Sequence, residues 1–174
     1  MKRFVLALAA LLAGSTAARA QDEVQQFNAF AFVEGKLTAV RSGDKAARAA
    51  GRLDGAFFIE TDEGPLHVGA VTCTVASEIE LETTRQAASG ACTFNSSGAT
   101  AWGDWSCEGY NLVGCRGKFR LTGGTARLEG ASGEATLVWR PSAHDLKKEL
   151  DATSTQTSVG VVMWRDFKLN RTKK

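Results

Sequence analysis

Thr100-Ala-Trp-Gly-Asp-Trp-Ser-Cys107 and Arg116-Gly-Lys-Phe-Arg-Leu-Thr122 stand either side of Glu108-Gly-Tyr-Asn-Leu-Val-Gly114, a segment bracketed by Cys107 and Cys115. Two runs of strand-forming residues separated by a short loop with a glycine near each end read as a β-hairpin. The same texture extends in both directions. Upstream, Ile79-Glu80-Leu81-Glu82 alternates apolar and acidic, which gives one wet and one buried face. Phe57-Phe58-Ile59 runs into Asp62-Glu63-Gly64-Pro65, a strong turn signal, and Leu66–Ala76 follows. Phe27–Val40 supplies one strand or two, with Gly35 near the middle, and Cys92–Phe94 supplies another. Downstream, Ala135–Arg140 and Ser158–Leu169 complete the set. With 18 glycines and only 2 prolines, the chain reads as all-β: an antiparallel β-barrel of about eight strands. A sandwich would fit the strand spacing too, but closure removes the edge strands that an exposed sheet must protect.

Two stretches depart from this pattern. Asp44–Ala50 is rich in helix formers but too short to stand alone. Pro141–Asp151 predicts one short helix near the C-terminus, with Ser142 as cap and Leu146 and Leu150 four apart.

The first 20 residues read as a secretory signal. Met1-Lys2-Arg3 precedes an apolar run from Phe4 to Ala13, and small residues end at Ala18-Arg19-Ala20. Cleavage there takes the chain from 174 to 154 residues, and losing Lys2, Arg3 and Arg19 takes the charge from +2 to −1. The basic balance of the precursor therefore argues for neither nucleic acid nor an anionic surface as partner. Residues 21–174 are expected to form a single domain, exported to the periplasm or beyond the cell. No later run approaches the roughly 18 apolar residues of a membrane-spanning helix.

The four cysteines, Cys73, Cys92, Cys107 and Cys115, all fall in the mature part. An even count in an exported chain points to disulfides. Three pairings are open; joining sequence neighbours, Cys73 with Cys92 and Cys107 with Cys115, is the expected one because the second pair closes a hairpin loop. A metal site is a poor alternative, since no C-x-x-C occurs and His67 and His144 are remote in sequence.

Gly90-Ala-Cys-Thr-Phe94, Trp105-Ser-Cys-Glu-Gly109, Gly114-Cys-Arg-Gly-Lys-Phe119 and Gly123-Gly-Thr-Ala-Arg-Leu-Glu-Gly-Ala-Ser-Gly133 together carry a resemblance. The last resembles the G-G-T-G-x-F-x-G-A-x-G turn of allene oxide cyclase and dirigent-type barrels. It is also similar to small exported bacterial proteins with cysteines ahead of that turn. Ala126 stands where the pattern has glycine, and Leu128 where it has an aromatic residue. The resemblance implies an eight-stranded antiparallel barrel with a central cavity and transfers no chemistry, because one fold hosts unrelated functions. In physical terms, Gly123 and Gly124 are expected to break the strand and permit positive φ, with Leu128 returning to the core. Gly130 and Gly133 would let the next strand start close to its neighbour.

Trp102, Trp105, Trp139 and Trp164 are the aromatic candidates for a ligand wall, against the plainer account that they fill the core or seal its ends. In a regular strand Trp102 and Trp105 point opposite ways unless Gly103 makes a bulge. Arg165 interrupts an apolar series at Val159, Val161, Met163, Phe167 and Leu169. On an inward face it would need a buried partner or an anionic ligand; a register shift would instead carry it to water. Trp102, Trp139 and Arg165 are the ligand-binding residues this reading selects.

Neither histidine has a ligand-like neighbour, Asn95-Ser-Ser-Gly lacks the carboxylates of a calcium loop, and no cofactor is expected. The basic tail Lys168–Lys174 lacks the aromatic interleaving of a nucleic-acid surface. Nucleophile, metalloprotease and phosphate-loop motifs are not found. Three functions follow: a non-catalytic module for a small apolar ligand, which the sequence favours; a cyclase or dirigent-like enzyme using Asp104, Arg165 or Asp166; or an envelope structural or interaction protein with a packed barrel. The contents of the barrel distinguish them.

Overall fold

The structure, a computed structural model, describes residues 23–142 and 153–171. The expected leader and all but the first two residues of the expected C-terminal helix lie outside the described residues, and Pro141 ends a strand. Eight antiparallel strands close into a barrel in simple sequence order. They are β1 (Glu23–Ser42), β2 (Ala46–Thr61), β3 (Gly64–Glu80), β4 (Arg85–Ser96), β5 (Ala99–Tyr110), β6 (Gly114–Gly124), β7 (Ser132–Pro141) and β8 (Thr153–Arg171). The barrel closes by pairing β1 with β8, from Glu23 opposite Arg171 to Val40 opposite Thr153. The helical turn among the described residues is a 3-10 turn at Ala126–Leu128, between β6 and β7.

Of the helix formers at 44–50, Asp44 and Lys45 lie in the β1–β2 turn and the rest open β2: Ala47 and Ala49 are buried while Arg48 is exposed, the alternation of a strand. Pairing with β1 and β3 overrides a propensity too short to act alone. The strand segments expected at Leu66–Ala76 and from Ile79 merge into β3, and Gly35 lies within an uninterrupted β1.

Side chains alternate across the wall. On β1, Ala29, Ala31 and Val33 face the axis, while Phe32 and Glu34 are exposed. Among the described residues every buried side chain is apolar, and ion pairs such as Arg48–Glu78 (3.4 Å) and Arg120–Glu134 (3.6 Å) decorate the outside. Barrels that face lipid carry the opposite polarity, with an apolar exterior band.

Aromatic rings plug one end of the interior, the end bearing the β2–β3, β4–β5 and β6–β7 turns. Trp164, with no exposed surface, meets Phe94 at 5.2 Å, Phe57 at 5.5 Å and Phe119 at 6.1 Å, edge to face. Phe27 stacks on Phe167 at 5.0 Å. The indole N–H of Trp164 has no hydrogen-bond partner among the described residues, a cost of about 1–3 kcal/mol. Three aromatic pairs at ~0.5–1.5 kcal/mol each, added to the burial of the ring itself, outweigh that cost.

The turn after β6 departs from expectation in one respect. Gly123 and Gly124 do not have positive φ; Ala126 (φ +52°) and Gly130 (φ +73°) do. The paired glycines are needed for space instead. A Cβ on Gly123 would stand 2.9 Å from the Trp102 ring, and one on Gly124 would stand 2.7 Å from the Leu128 carbonyl oxygen. Leu128 packs against the core as expected, and Gly133 admits the Phe167 ring and the β8 backbone.

Both disulfides join sequence neighbours, Cys73–Cys92 and Cys107–Cys115, with Cα separations of 4.1 and 5.5 Å. Cys73 lies directly opposite Cys92 on β3 and β4, and the second bridge ties β5 to β6. All four cysteines face the interior.

Candidate functional site

The inward positions change character towards the other end of the barrel. They read Ala47, Ala49 and Gly51 on β2, Ala88 and Gly90 on β4, and Gly109 and Gly117 on β5 and β6. Side chains this short cannot reach across an eight-stranded barrel, so the described residues leave the axis unfilled. The result is a cavity of about 130 Å³.

Its walls are apolar: Leu37, Leu53, Val75, Ile79, Leu137 and Val162, together with Trp105 and Trp139. Cys73, Cys92 and Cys115 line it as well. Leu137 pairs with Trp164 across β7 and β8, so the aromatic plug forms the floor. Trp139 lies where a Cβ on Gly160 would be only 2.6 Å from its ring, so the missing side chain on β8 makes room for the indole. The polar lining is neutral. Ser77 donates to the Ala49 carbonyl at 3.5 Å, and Gln156 donates to Ser154 at 3.1 Å. Gln86, Asn111, Thr157 and Ser158 complete it, with no ionisable side chain among the described residues of the lining.

The charged groups lie outside. Asp54 on the outer wall accepts from Arg52 at 2.7 Å and from the Thr72 hydroxyl at 2.6 Å. The Arg52 guanidinium, then the Thr72 hydroxyl, hold its carboxyl below the usual carboxylate range. In return, hydrogen bonding to Asp54 raises Arg52.

Of the residues selected from sequence, Trp139 lines the cavity while Trp102 and Arg165 project from the outer wall. Trp102 is 41% exposed, and its ring covers Gly123. Trp105 points the opposite way, into the cavity, and Trp164 belongs to the plug. Arg165 pairs with Glu60 at 3.6 Å, because the alternation along β8 is inverted from the one expected. Val162 and Trp164 face in, a bulge at Arg165–Asp166 shifts the phase, and Phe167 and Leu169 then face in. Asp104 and Asp166 are exposed as well. His67 lies on the outer wall beside Phe58, at 5.2 Å, and His144 lies outside the described residues.

Sequence reasoning passed over the residues that make the space. The signal was the run of alanine and glycine at alternate positions from Ala47 to Gly51, and again at Ala88 and Gly90. Comparison of the chain with protein-family models, with curated proteins and with solved structures gives no match.

Proposed function

We propose that the chain is an exported, non-catalytic binding protein that holds a small, mostly apolar molecule in the unplugged half of its barrel. The observation that carries this reading is the division of the interior. One half is filled by aromatic rings, and the other keeps a cavity of about 130 Å³ between Trp105 and Trp139. Apolar concave sites with a few polar groups are where small ligands bind. The two disulfides suit an oxidising compartment, as the leader-like N-terminus does. The cyclase or dirigent-like alternative needs an ionisable group inside, and Asp104, Arg165 and Asp166 all stand outside. A second reading, an envelope interaction protein, draws on the outer wall: Phe30, Phe32 and Phe58 cluster there, with Phe32 60% exposed.

Native mass spectrometry of the full chain, expressed with its leader in an exporting cell, tests the first reading. The expected result is an oxidised mature protein, four hydrogens lighter than its reduced form, that carries a small molecule lost on denaturation. Ala88→Leu, which fills the cavity, is expected to lose that molecule without lowering the melting temperature. An oxidised protein free of any small molecule, with apolar probes binding the variant and the parent alike, would overturn it.

A further inference from the structure

The described lining of the cavity has one further property, the electrical neutrality of its polar groups, and this deepens the binding reading, on which it rests. The mouth lies at the end bearing the β1–β2, β3–β4 and β5–β6 turns. Two amides stand there. Gln86 is the second residue of β4, opposite Ile79 of β3 and Gly109 of β5. Asn111 follows the last residue of β5. Both line the cavity, and neither side chain hydrogen-bonds to another described residue. A primary amide offers two donors and an acceptor, so it can serve a hydroxyl or a carbonyl equally well.

The turns beside these amides are held in costly conformations. Thr84 (φ +58°) and Leu112 (φ +70°) are non-glycine residues in the left-handed region. The Asn111 N–H donates to the Thr84 carbonyl at 2.7 Å, so the two turns brace each other across the rim. Leu112 also lines the cavity. Strain of this kind persists where surrounding contacts impose it, and it collects at binding sites. Here it fixes where Asn111 and Leu112 stand.

Size and charge narrow the occupant further. An apolar cavity of about 150 Å³ in an unrelated protein accepts a single benzene ring, and the volume here is about 130 Å³. The indoles of Trp105 and Trp139 offer aromatic surfaces to such a ring. A carboxylate or ammonium brought inside would meet no opposite charge among the described lining residues, and burying an unpaired charge is strongly unfavourable. We infer that the cavity takes a neutral single-ring compound, its ring between the tryptophans and its hydroxyl or carbonyl held at the mouth by Gln86 and Asn111. The ionised counterpart of the same ring is rejected.

Calorimetric titration of the oxidised full-length mature chain with toluene, benzyl alcohol and benzoate tests this. Toluene reports the cavity alone. Benzyl alcohol is expected to bind more tightly than benzoate by about tenfold or more. Gln86→Leu is expected to weaken benzyl alcohol relative to toluene by about fivefold to tenfold, with an unchanged melting temperature showing that the variant is folded. If toluene binds and benzoate matches benzyl alcohol, the neutral-ligand inference is overturned and the binding function stands. If neither toluene nor benzyl alcohol binds, both fall.

Discussion

Ala126 lies in the turn between β6 and β7 and sits at φ +52°. A left-handed conformation costs a residue with a Cβ roughly 1–2 kcal/mol, whereas glycine adopts it freely but loses more entropy on folding. Ala126→Gly is therefore expected to stabilise the barrel by about 0.5–1 kcal/mol, read as a higher urea midpoint at unchanged slope. A lower midpoint would mean that the alanine methyl packs usefully in the turn. Sequence reasoning placed the positive φ at Gly123 and Gly124 and noted Ala126 only as a departure from a glycine-rich pattern. That the left-handed residue would be Ala126 and not Gly123 or Gly124 was not legible. Glycine marks both positive φ and close approach, and only the neighbouring Trp102 ring and Leu128 carbonyl tell the two apart.

Strand β8 shows the limit of reading an element by alternation. From Val159 to Trp164 both faces are apolar, Val159, Val161 and Met163 on one and Gly160, Val162 and Trp164 on the other, so the pattern cannot choose the inward set. The choice is made by packing. Trp164 completes the aromatic plug, and Met163 pairs with Phe30 in register on the outer wall. The bulge then returns Phe167 to the interior. Asp166 takes φ +53° there, and its N–H donates to the Asn28 side-chain oxygen at 3.0 Å, across from β1. The side chain replaces a ladder partner that the extra residue has lost. Asn28→Ala is expected to lower stability by about 1 kcal/mol in urea denaturation, and Asp166→Gly to leave it unchanged or raised. Equal losses in both variants would show that the bulge is held by packing and not by this hydrogen bond.

For the whole molecule, the barrel and its strand number were legible, because alternation and turns are local signals, whereas cysteine spacing favoured the observed pairing without closing off the other two. The cavity was not legible. It arises from short side chains on several strands converging at one level, a long-range coincidence that no single segment displays. The tryptophans drew attention as bulky residues, yet the site is made equally by what is missing at Ala49, Ala88 and Gly90. The seam between β1 and β8 has a further consequence. Every other pairing joins neighbours in sequence, and at the seam Glu23 lies directly opposite Arg171. The two ends of the described barrel are therefore adjacent, and the ring of strands has no structurally privileged beginning. A circular permutant that joins Arg171 to Glu23 through a short glycine–serine linker, with new termini opened at the Ser97–Gly98 turn, is expected to form the same two disulfides and fold cooperatively. Failure of that permutant, with the parent folding normally, would mean that the order in which the hairpins are made matters as much as the ring they complete.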